Sequence, residues 1–415
     1  MMEENGLPRG WVETTLGEAV NIKHGFAFMG EFISLEPNNK VLITPGNFNI
    51  GGGFKNDKFK YYTGSIPEDY ILKENEVIVT MTDLSKDGDT LGFPAKVPKD
   101  DNIYLHNQRI GLVLLKSLDF DKEYIYWLLR TKYYQKSIVN SATGSTVRHT
   151  SPSRIQEYSF FCPPLPEQKA IASILTSFDD KIELLQAQNE TLETIAQTIF
   201  KEWFGKYQVG DELPEGWRVG ELESFFDFLE GPGIRNWQYT ENGNRFINIR
   251  LIQNGDINVK NANCVSSEEA NGKYSHFQLK EKDFVLSTSG TLGRGAIVRK
   301  EHLPLLLNTS VIRFRPKDGL SYGYTYQFLQ SSYFLHELES LASGSVQLNF
   351  GPMHLRQIVM VLPNGQKLEE FSKKVNPLYD KIIHNFSHIQ TLQQTRDTLL
   401  PKLMSGKVRV DEFKE

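Results

Sequence analysis

The chain has 415 residues, of which 39% are hydrophobic and 23% charged. At roughly 150 residues per domain that is two or three domains with cores of their own, and it excludes disordered, collagen-like and mucin-like classes. Lys and Arg number 46 against 51 Asp and Glu, a net charge of −5 that speaks weakly against a nucleic-acid partner. No apolar run approaches the roughly 18 residues of a membrane span; Ile110 to Leu115 and Leu303 to Leu307 are the best and both are short. Met1 to Gly10 has no apolar core of a secretory signal, and Cys162 and Cys264 lack metal-ligand spacing. The expectation is a cytoplasmic protein with no membrane association.

The chain contains itself twice. Leu7-Pro8-Arg9-Gly10-Trp11 recurs as Leu213-Pro214-Glu215-Gly216-Trp217, and Ile71 to Thr80 recurs as Gln278 to Ser287. Ala142-Thr143-Gly144-Ser145 returns as Ala342-Ser343-Gly344-Ser345, and Asp180-Lys181-Ile182 as Asp380-Lys381-Ile382. A period of about 200 residues is too long for a solenoid and means two homologous halves.

Each half begins with Gly, aromatics and short β-branched runs. In the first half Gly51-Gly52-Gly53 and Asp87-Gly88-Asp89 predict turns, Val77 to Thr80 and Gly111 to Leu114 predict strands, and a helix is predicted from Tyr124 to about Ser137. From Pro166 to about Tyr207 glycine nearly vanishes and helix formers take over. The second half repeats the order, with a strand at Val311 to Phe314, a helix from Tyr324, and a helical segment from Gln366 to Lys407. The expected fold class is α+β: two homologous α/β domains (1–161 and 209–362) and two long helical regions (162–208 and 363–415).

The helical segments carry matching heptads. Apolar residues fall at Ile171, Leu175, Phe178, Ile182, Leu185, Leu192, Ala196, Ile199 and Trp203, with Asn189 in the seam. In the second segment they fall at Phe371, Val375, Leu378, Ile382, Ile389, Leu392, Leu399 and Leu403, with Asn385 in the seam and Arg396 at one position. Steps averaging 3.5 describe a coiled-coil seam, and a buried Asn fixes its register. Antiparallel pairing with Asn189 opposite Asn385 sets apolar against apolar in the neighbouring layers. Parallel pairing at the repeat offset strands both amides. The expectation is therefore an antiparallel coiled coil relating the halves by a pseudo-twofold axis. Pro377 and Pro401 each remove a helical hydrogen bond, so kinks or helix starts are expected there.

Positive charge collects locally. Tyr124 to Gln156 holds Arg130, Lys132, Lys136, Arg148 and Arg154 with no carboxylate until Glu157. Ser287 to Lys317 holds Arg294, Arg299, Lys300, Arg313, Arg315 and Lys317 against Glu301 alone. A phosphate backbone rewards local charge, because each neutralised phosphate releases a counterion. Side chains able to reach base edges accompany these tracts. The candidate DNA-binding set is Lys23, Lys86, Gln108, Arg109, Ser145, Arg148, His149, Arg235, Arg250, Ser289, Arg294, Thr309, Gln347 and Asn349, together with the flanking Asn107 and Asn308.

Catalytic motifs are missing. Asn376-Pro377-Leu378-Tyr379 resembles a methyltransferase box but lacks one proline and sits in the helical segment. Gly290-Thr291-Leu292-Gly293-Arg294-Gly295 has neither P-loop nor Rossmann spacing. His384 and His388 share a helical face without a third ligand nearby, so no metal site is expected. The residues read as a binder, not an enzyme.

In its motifs the chain resembles the specificity subunit of type I restriction–modification systems. The resemblance rests on Leu-Pro-x-Gly-Trp opening each half, on Pro163-Pro164-Leu165-Pro166-Glu167-Gln168-Lys169-Ala170-Ile171-Ala172, and on the ending Leu399-Leu400-Pro401-Lys402-Leu403-Met404-Ser405-Gly406-Lys407-Val408. In the second half, Leu362-Pro363-Asn364-Gly365-Gln366-Lys367 replaces the fuller proline motif. The resemblance implies two target-recognition domains, each reading one half of an asymmetric bipartite site on double-stranded DNA. It implies helices that set the unread gap; thirty-two helical steps from Ile171 to Trp203 span about 48 Å. It also implies two methyltransferase (modification) subunits and ATP-driven restriction (translocase/nuclease) subunits as partners. S-adenosylmethionine, ATP and Mg would belong to those partners, with no cofactor in this chain. The alternative is an orphan DNA-binding protein or a scaffold without restriction partners.

Overall fold

The computed structural model describes residues 8–56, 58–289, 293–317, 319–341 and 350–410. The chain forms two compact units, Met1–Lys181 with Leu392–Glu415, and Ile182–Thr391. The divisions fall inside the long helices rather than at the compositional boundaries. Each unit therefore holds one mixed domain, one half of the first long helix and one half of the second.

In the first unit a four-stranded antiparallel sheet runs in the order Val20–His24, Ile110–Leu115, Val77–Thr80, Pro94–Lys96. Val77, Ile78, Val79 and Thr80 are all buried, because both faces of this strand are covered. Alternation sorts them: Val77 and Val79 join a core with Tyr124, Trp127 and Ile138, while Ile78 joins Val41, Tyr104 and Leu112. The second core belongs to a five-stranded sheet in which Lys40–Leu42 pairs parallel with Ile103–Leu105.

The second unit repeats this plan. Its four-stranded sheet has the order Phe226–Glu230, Val311–Pro316, Phe284–Ser287, Gly295–Ile297. Its second sheet has three strands, with Asn244–Phe246 parallel to Leu305–Leu306. The helix predicted from Tyr124 to Ser137 is in fact two, Lys122–Leu129 and Lys132–Ser141. Asp121 caps the first by accepting from the Tyr124 N–H at 2.9 Å, and Thr131 caps the second through the Tyr134 N–H at 3.3 Å. The chain breaks at Arg130, whose guanidinium is drawn inward. Tyr322–Leu329 and Ser332–Leu341 are the equivalents in the second unit.

Both long helices have 40 residues, Leu165–Phe204 and Gly365–Met404. Neither Pro377 nor Pro401 starts or ends the second helix, so of the kink or helix start expected at each, the start is not found. Asn376 helps to hold the backbone beside Pro377: its Oδ1 accepts from the Gly323 N–H at 3.2 Å.

Within the second unit the helices run antiparallel. Asn385 Nδ2 donates to Asn189 Oδ1 at 2.8 Å, and further along the rings of Trp203 and Phe371 meet at 6.0 Å, in the same register. The first unit shows the same sense, with Asp179 bonded to Arg396 and Glu167 to Arg409. The seam is not a free-standing coiled coil. Ala196, Phe371, Val375 and Ile382 belong to the same core as Tyr324 and Phe328 of the adjoining domain, so each helix pair also packs on the domain of its unit.

Candidate nucleic-acid interface

The sequence motifs meet first at the base of the first unit. Trp11 Nε1 donates to Glu167 at 3.1 Å, and Arg409 binds the same carboxylate at 2.8 and 3.0 Å. The buried Gln168 amide accepts from the Asp121 N–H at 2.9 Å and donates to the Pro163 carbonyl at 2.9 Å. It thereby ties the long helix to the start of Lys122–Leu129. In the second unit Asn364 takes the place of proline, and its Nδ2 donates to the Glu215 carbonyl at 3.3 Å.

At the opposite ends of the sheet strands the two units build the same backbone framework. In the first, the Met81 N–H donates to Arg109 O (2.9 Å), the Thr150 N–H to Met81 O (3.0 Å), and the Gln108 N–H to Phe26 O (2.9 Å). In the second, the Thr288 N–H donates to Ser310 O (3.0 Å), the Phe350 N–H to Thr288 O (3.1 Å), and the Thr309 N–H to Pro232 O (3.0 Å). The framework demands glycine at one matching place in each. A Cβ on Gly25 would lie 2.0 Å from Asn107 O, and one on Gly231 would lie 2.5 Å from the Asn308 backbone. Bond for bond, Asn107-Gln108-Arg109 corresponds to Asn308-Thr309-Ser310.

The side chains on this frame differ. In the first unit Arg148–His149 pairs with Thr82–Asp83, His149 Nδ1 lies 3.1 Å from Thr82 Oγ1, and Arg148 Nε donates to Lys86 O at 3.2 Å. Lys86, Gln108, Arg109, Arg148 and His149 thus gather at one strand end, all exposed or half-buried. Exposed Ser145 lies on the adjoining turn, where the Thr143 N–H donates to His149 O at 3.0 Å. Lys23 points to Asp69 O at 2.6 Å and lies over the Tyr70 ring. In the second unit Ser289, Thr309, Arg294 and Arg235 surround the equivalent strand end. Ser287 Oγ donates to Ser289 O at 2.7 Å, and the Ser287 N–H donates to Arg294 O at 2.9 Å. Arg250 lies elsewhere, exposed on the single turn Ile249–Leu251. Gln347 and Asn349 fall outside the described residues, as do Gly290, Thr291 and Leu292.

Several polar atoms on this surface are buried without a hydrogen-bond partner: Gln108 Oε1 and Thr150 Oγ1 in the first unit, Thr288 Oγ1 in the second. Such groups are costly unless a ligand or water satisfies them.

The counted basic tracts overstate the free charge. Arg130 is buried against Asp179 at 2.5 Å and Arg299 against Asp256 at 2.8 Å; the half-buried Arg315 pairs with Asp283 at 2.7 Å, and Arg313 pairs with Asp227. Every one of those carboxylates lies outside the tract that was counted, which is why local counting missed them. Lys132 and Lys136 in the first tract and Lys300 in the second stay exposed.

Sequence reading also missed Asp83. Its carboxylate accepts from the Ser85 N–H at 2.6 Å and from Thr90 Oγ1 at 2.7 Å, bracing the loop that carries Lys86. Burial would raise its pKa, but the hydrogen bonds from Thr90 and Ser85 outweigh that and hold it below the ordinary value. Asp followed two residues later by Ser was the available signal, since Asx turns use that spacing.

His106, next to Asn107, is buried with Nε2 2.9 Å from Ile110 O, and burial pushes its pKa down to about 4. A depressed histidine contributes stability that is present above its unfolded pKa of about 6.5 and lost as pH falls toward 4. Leu307 occupies the matching place, since the His106 and Leu307 N–H groups donate to Tyr70 O and Phe277 O respectively. His106→Leu is expected to flatten the pH dependence of denaturant stability in that window; an unchanged slope would refute the assignment.

Among the described residues no His, Cys, Asp or Glu grouping could hold a metal ion, and no helix is long and apolar enough to cross a membrane. Tyr379 of the methyltransferase-like motif is buried and accepts from Gln327 Nε2 at 2.7 Å, a packing role.

The type I restriction modification DNA specificity domain matches the chain twice, over residues 8–194 and 214–393, and the chain belongs to that family. The specificity subunit of the type I restriction enzyme MjaIX from Methanocaldococcus jannaschii is 28% identical over 307 residues, covering 70% of each protein. That of EcoBI from Escherichia coli is 23% identical over 430 residues, covering 96% of this chain and 86% of its own. The crystal structure of a type I restriction–modification S subunit from M. genitalium shares the fold. It aligns over 97% of this chain and 98% of its own with a TM-score of 0.57 at 18% identity.

Proposed function

We propose that each mixed domain reads one half of a bipartite site on double-stranded DNA, with the reading side chains carried at the strand ends. The observation behind this is the doubled hydrogen-bonded frame that presents different side chains in each copy: Gln108, Arg109 and Arg148 in one, Thr309, Ser289 and Arg294 in the other. A shared frame fixes position on the duplex, and different donors and acceptors read different bases, so the site is asymmetric. The long helices set the unread gap and dock two methyltransferase subunits, with restriction subunits joining that assembly. The chain itself is non-catalytic; S-adenosylmethionine, ATP and Mg act in the partners.

Mapping methylated positions in cells with and without this chain tests the reading. The expected result is one non-palindromic, two-part motif that vanishes with the chain; identical half-sites would contradict it. Adding one heptad to each long helix is expected to lengthen the gap by about three base pairs, from about 10 Å of helix against 3.4 Å per pair. Altered half-sites with an unchanged gap would defeat the spacer assignment.

A further inference from the structure

The least expected side chain on the second unit's strand-end surface is an aromatic one. Trp237 is 81% exposed, on a one-turn helix Asn236–Gln238 that follows the glycine at the frame's crossing point. An indole left in water is unfavourable, and a surface loop would normally let it fold back. Here the loop cannot relax. Gln238, next to it, is buried; its Nε2 donates to Glu269 Oε1 at 2.8 Å and to Tyr274 Oη at 2.9 Å, and its Oε1 accepts from the Arg235 N–H at 3.1 Å. Upstream, the Ile234 N–H donates to Asn308 Oδ1 at 3.4 Å, and Pro232 O accepts from Thr309. Downstream, the Thr240 N–H donates to Cys264 O at 3.0 Å. The segment is pinned before and after the tryptophan, so the indole is held outward on a rigid base.

What it faces follows from its ties. The same short stretch is bonded to Asn308 and Thr309 of the reading frame, and its neighbours Arg235 and Asn236 are exposed polar groups suited to a phosphate and a base edge. A flat apolar side chain flanked by a cation, beside a reading surface, has the chemistry of a wedge against stacked bases. The first unit has no indole there, although Met29 and Phe32 beside the matching position are also exposed. The matching turn is Gly30–Phe32, in which Glu31 stands in the corresponding place. The feature therefore belongs to what differs between the domains, not to their common frame.

Resting on the DNA-reading function above, we propose that Trp237 contacts DNA, wedging its indole against a base step at the second domain's half-site while Arg235 takes the flanking phosphate. The test uses the chain assembled with its methyltransferase subunits and duplexes carrying 2-aminopurine at successive positions in and beside the second half-site, once mapping has supplied it. The unaltered complex is expected to raise 2-aminopurine fluorescence at one step. Trp237→Ala is expected to abolish that rise and weaken specific binding by about ten- to a hundredfold, with non-specific binding unchanged. Trp237→Phe should restore most of both. Equal binding and equal fluorescence for Trp237→Ala would overturn the wedge while leaving the DNA-reading function intact. So would a loss of methyltransferase subunits from the variant without loss of affinity per assembled complex, since that would make Trp237 a protein contact. Absence of sequence-specific binding by the unaltered complex would instead overturn the function itself.

Discussion

Replacing Asp179 by alanine is expected to cost the first unit about 3–5 kcal/mol, the largest effect of any single substitution considered. One carboxylate sits between two guanidiniums, Arg130 from the domain and Arg396 from the second long helix, whose side chains are only 6% and 13% exposed. Arginine does not give up its proton in a protein, so neither partner can escape by neutralising. Burial acts against the charge of Arg396, and it is Asp179, with Asp397, that outweighs this and raises its pKa. Arg130 has other support, from Gly51 O at 2.9 Å and the face of Trp127 at 4.3 Å, but none of it carries charge. Chemical denaturation of the variant measures the loss. Replacing all three residues by Met, Leu and Met should recover most of the stability, because an apolar trio removes the desolvation cost together with the attraction. A loss under about 1 kcal/mol for Asp179→Ala would show that the pair is as dispensable as a surface bridge.

The second large effect lies in the helix seam of the second unit. Asn385→Leu is expected to destabilise by about 1–3 kcal/mol, because it strips the partner from a buried amide. The double variant Asn189→Leu/Asn385→Leu is expected to be more stable than either single one, and at least as stable as the unaltered chain. The amides are only partly satisfied: Asn385 Nδ2 bonds Asn189 and Gln188, while Asn189 Nδ2 and Asn385 Oδ1 are buried without partners. Two leucines remove that deficit and the register signal with it. A double-mutant cycle in denaturant reads the coupling directly; strictly additive losses would mean that the amides do not act as a pair.

Much of the architecture was legible because it rests on patterns the chain repeats. The duplication, the alternation at Val77–Thr80 and the 3.5-residue step with Asn189 and Asn385 are each periodic, and period reports which side of an element is buried. Single elements were less legible. Pro377 looked like a helix start by local chemistry, yet the helix passes through it, held among tertiary contacts such as that of Asn376 with Gly323. The helix expected after Tyr124 breaks at Arg130 because Thr131 caps a new helix there, as Ser331 does in the second unit, where Gln330 stands in place of the arginine.

The candidate site divides in the same way. Asn107, Gln108, Arg109, Arg148 and His149 stood out by residue type, and the strand pairings bring the last four together with Lys86. Asp83, which braces the Lys86 loop, and Trp237, which the loop around it holds outward, did not stand out. An acid near a basic surface and an apolar residue in a loop acquire meaning only from their neighbours.

The sequence by itself determined that two like halves fold around long amphipathic helices, since repetition and periodicity are properties of chain order. Which cations are free and which are spent could be decided only by the tertiary structure. Arg299 and Arg315 belong to a basic tract in one dimension, and in three they are half of ion pairs with Asp256 and Asp283. Charge acts through distance in space, and spatial neighbours separated by tens of residues leave no mark in local composition.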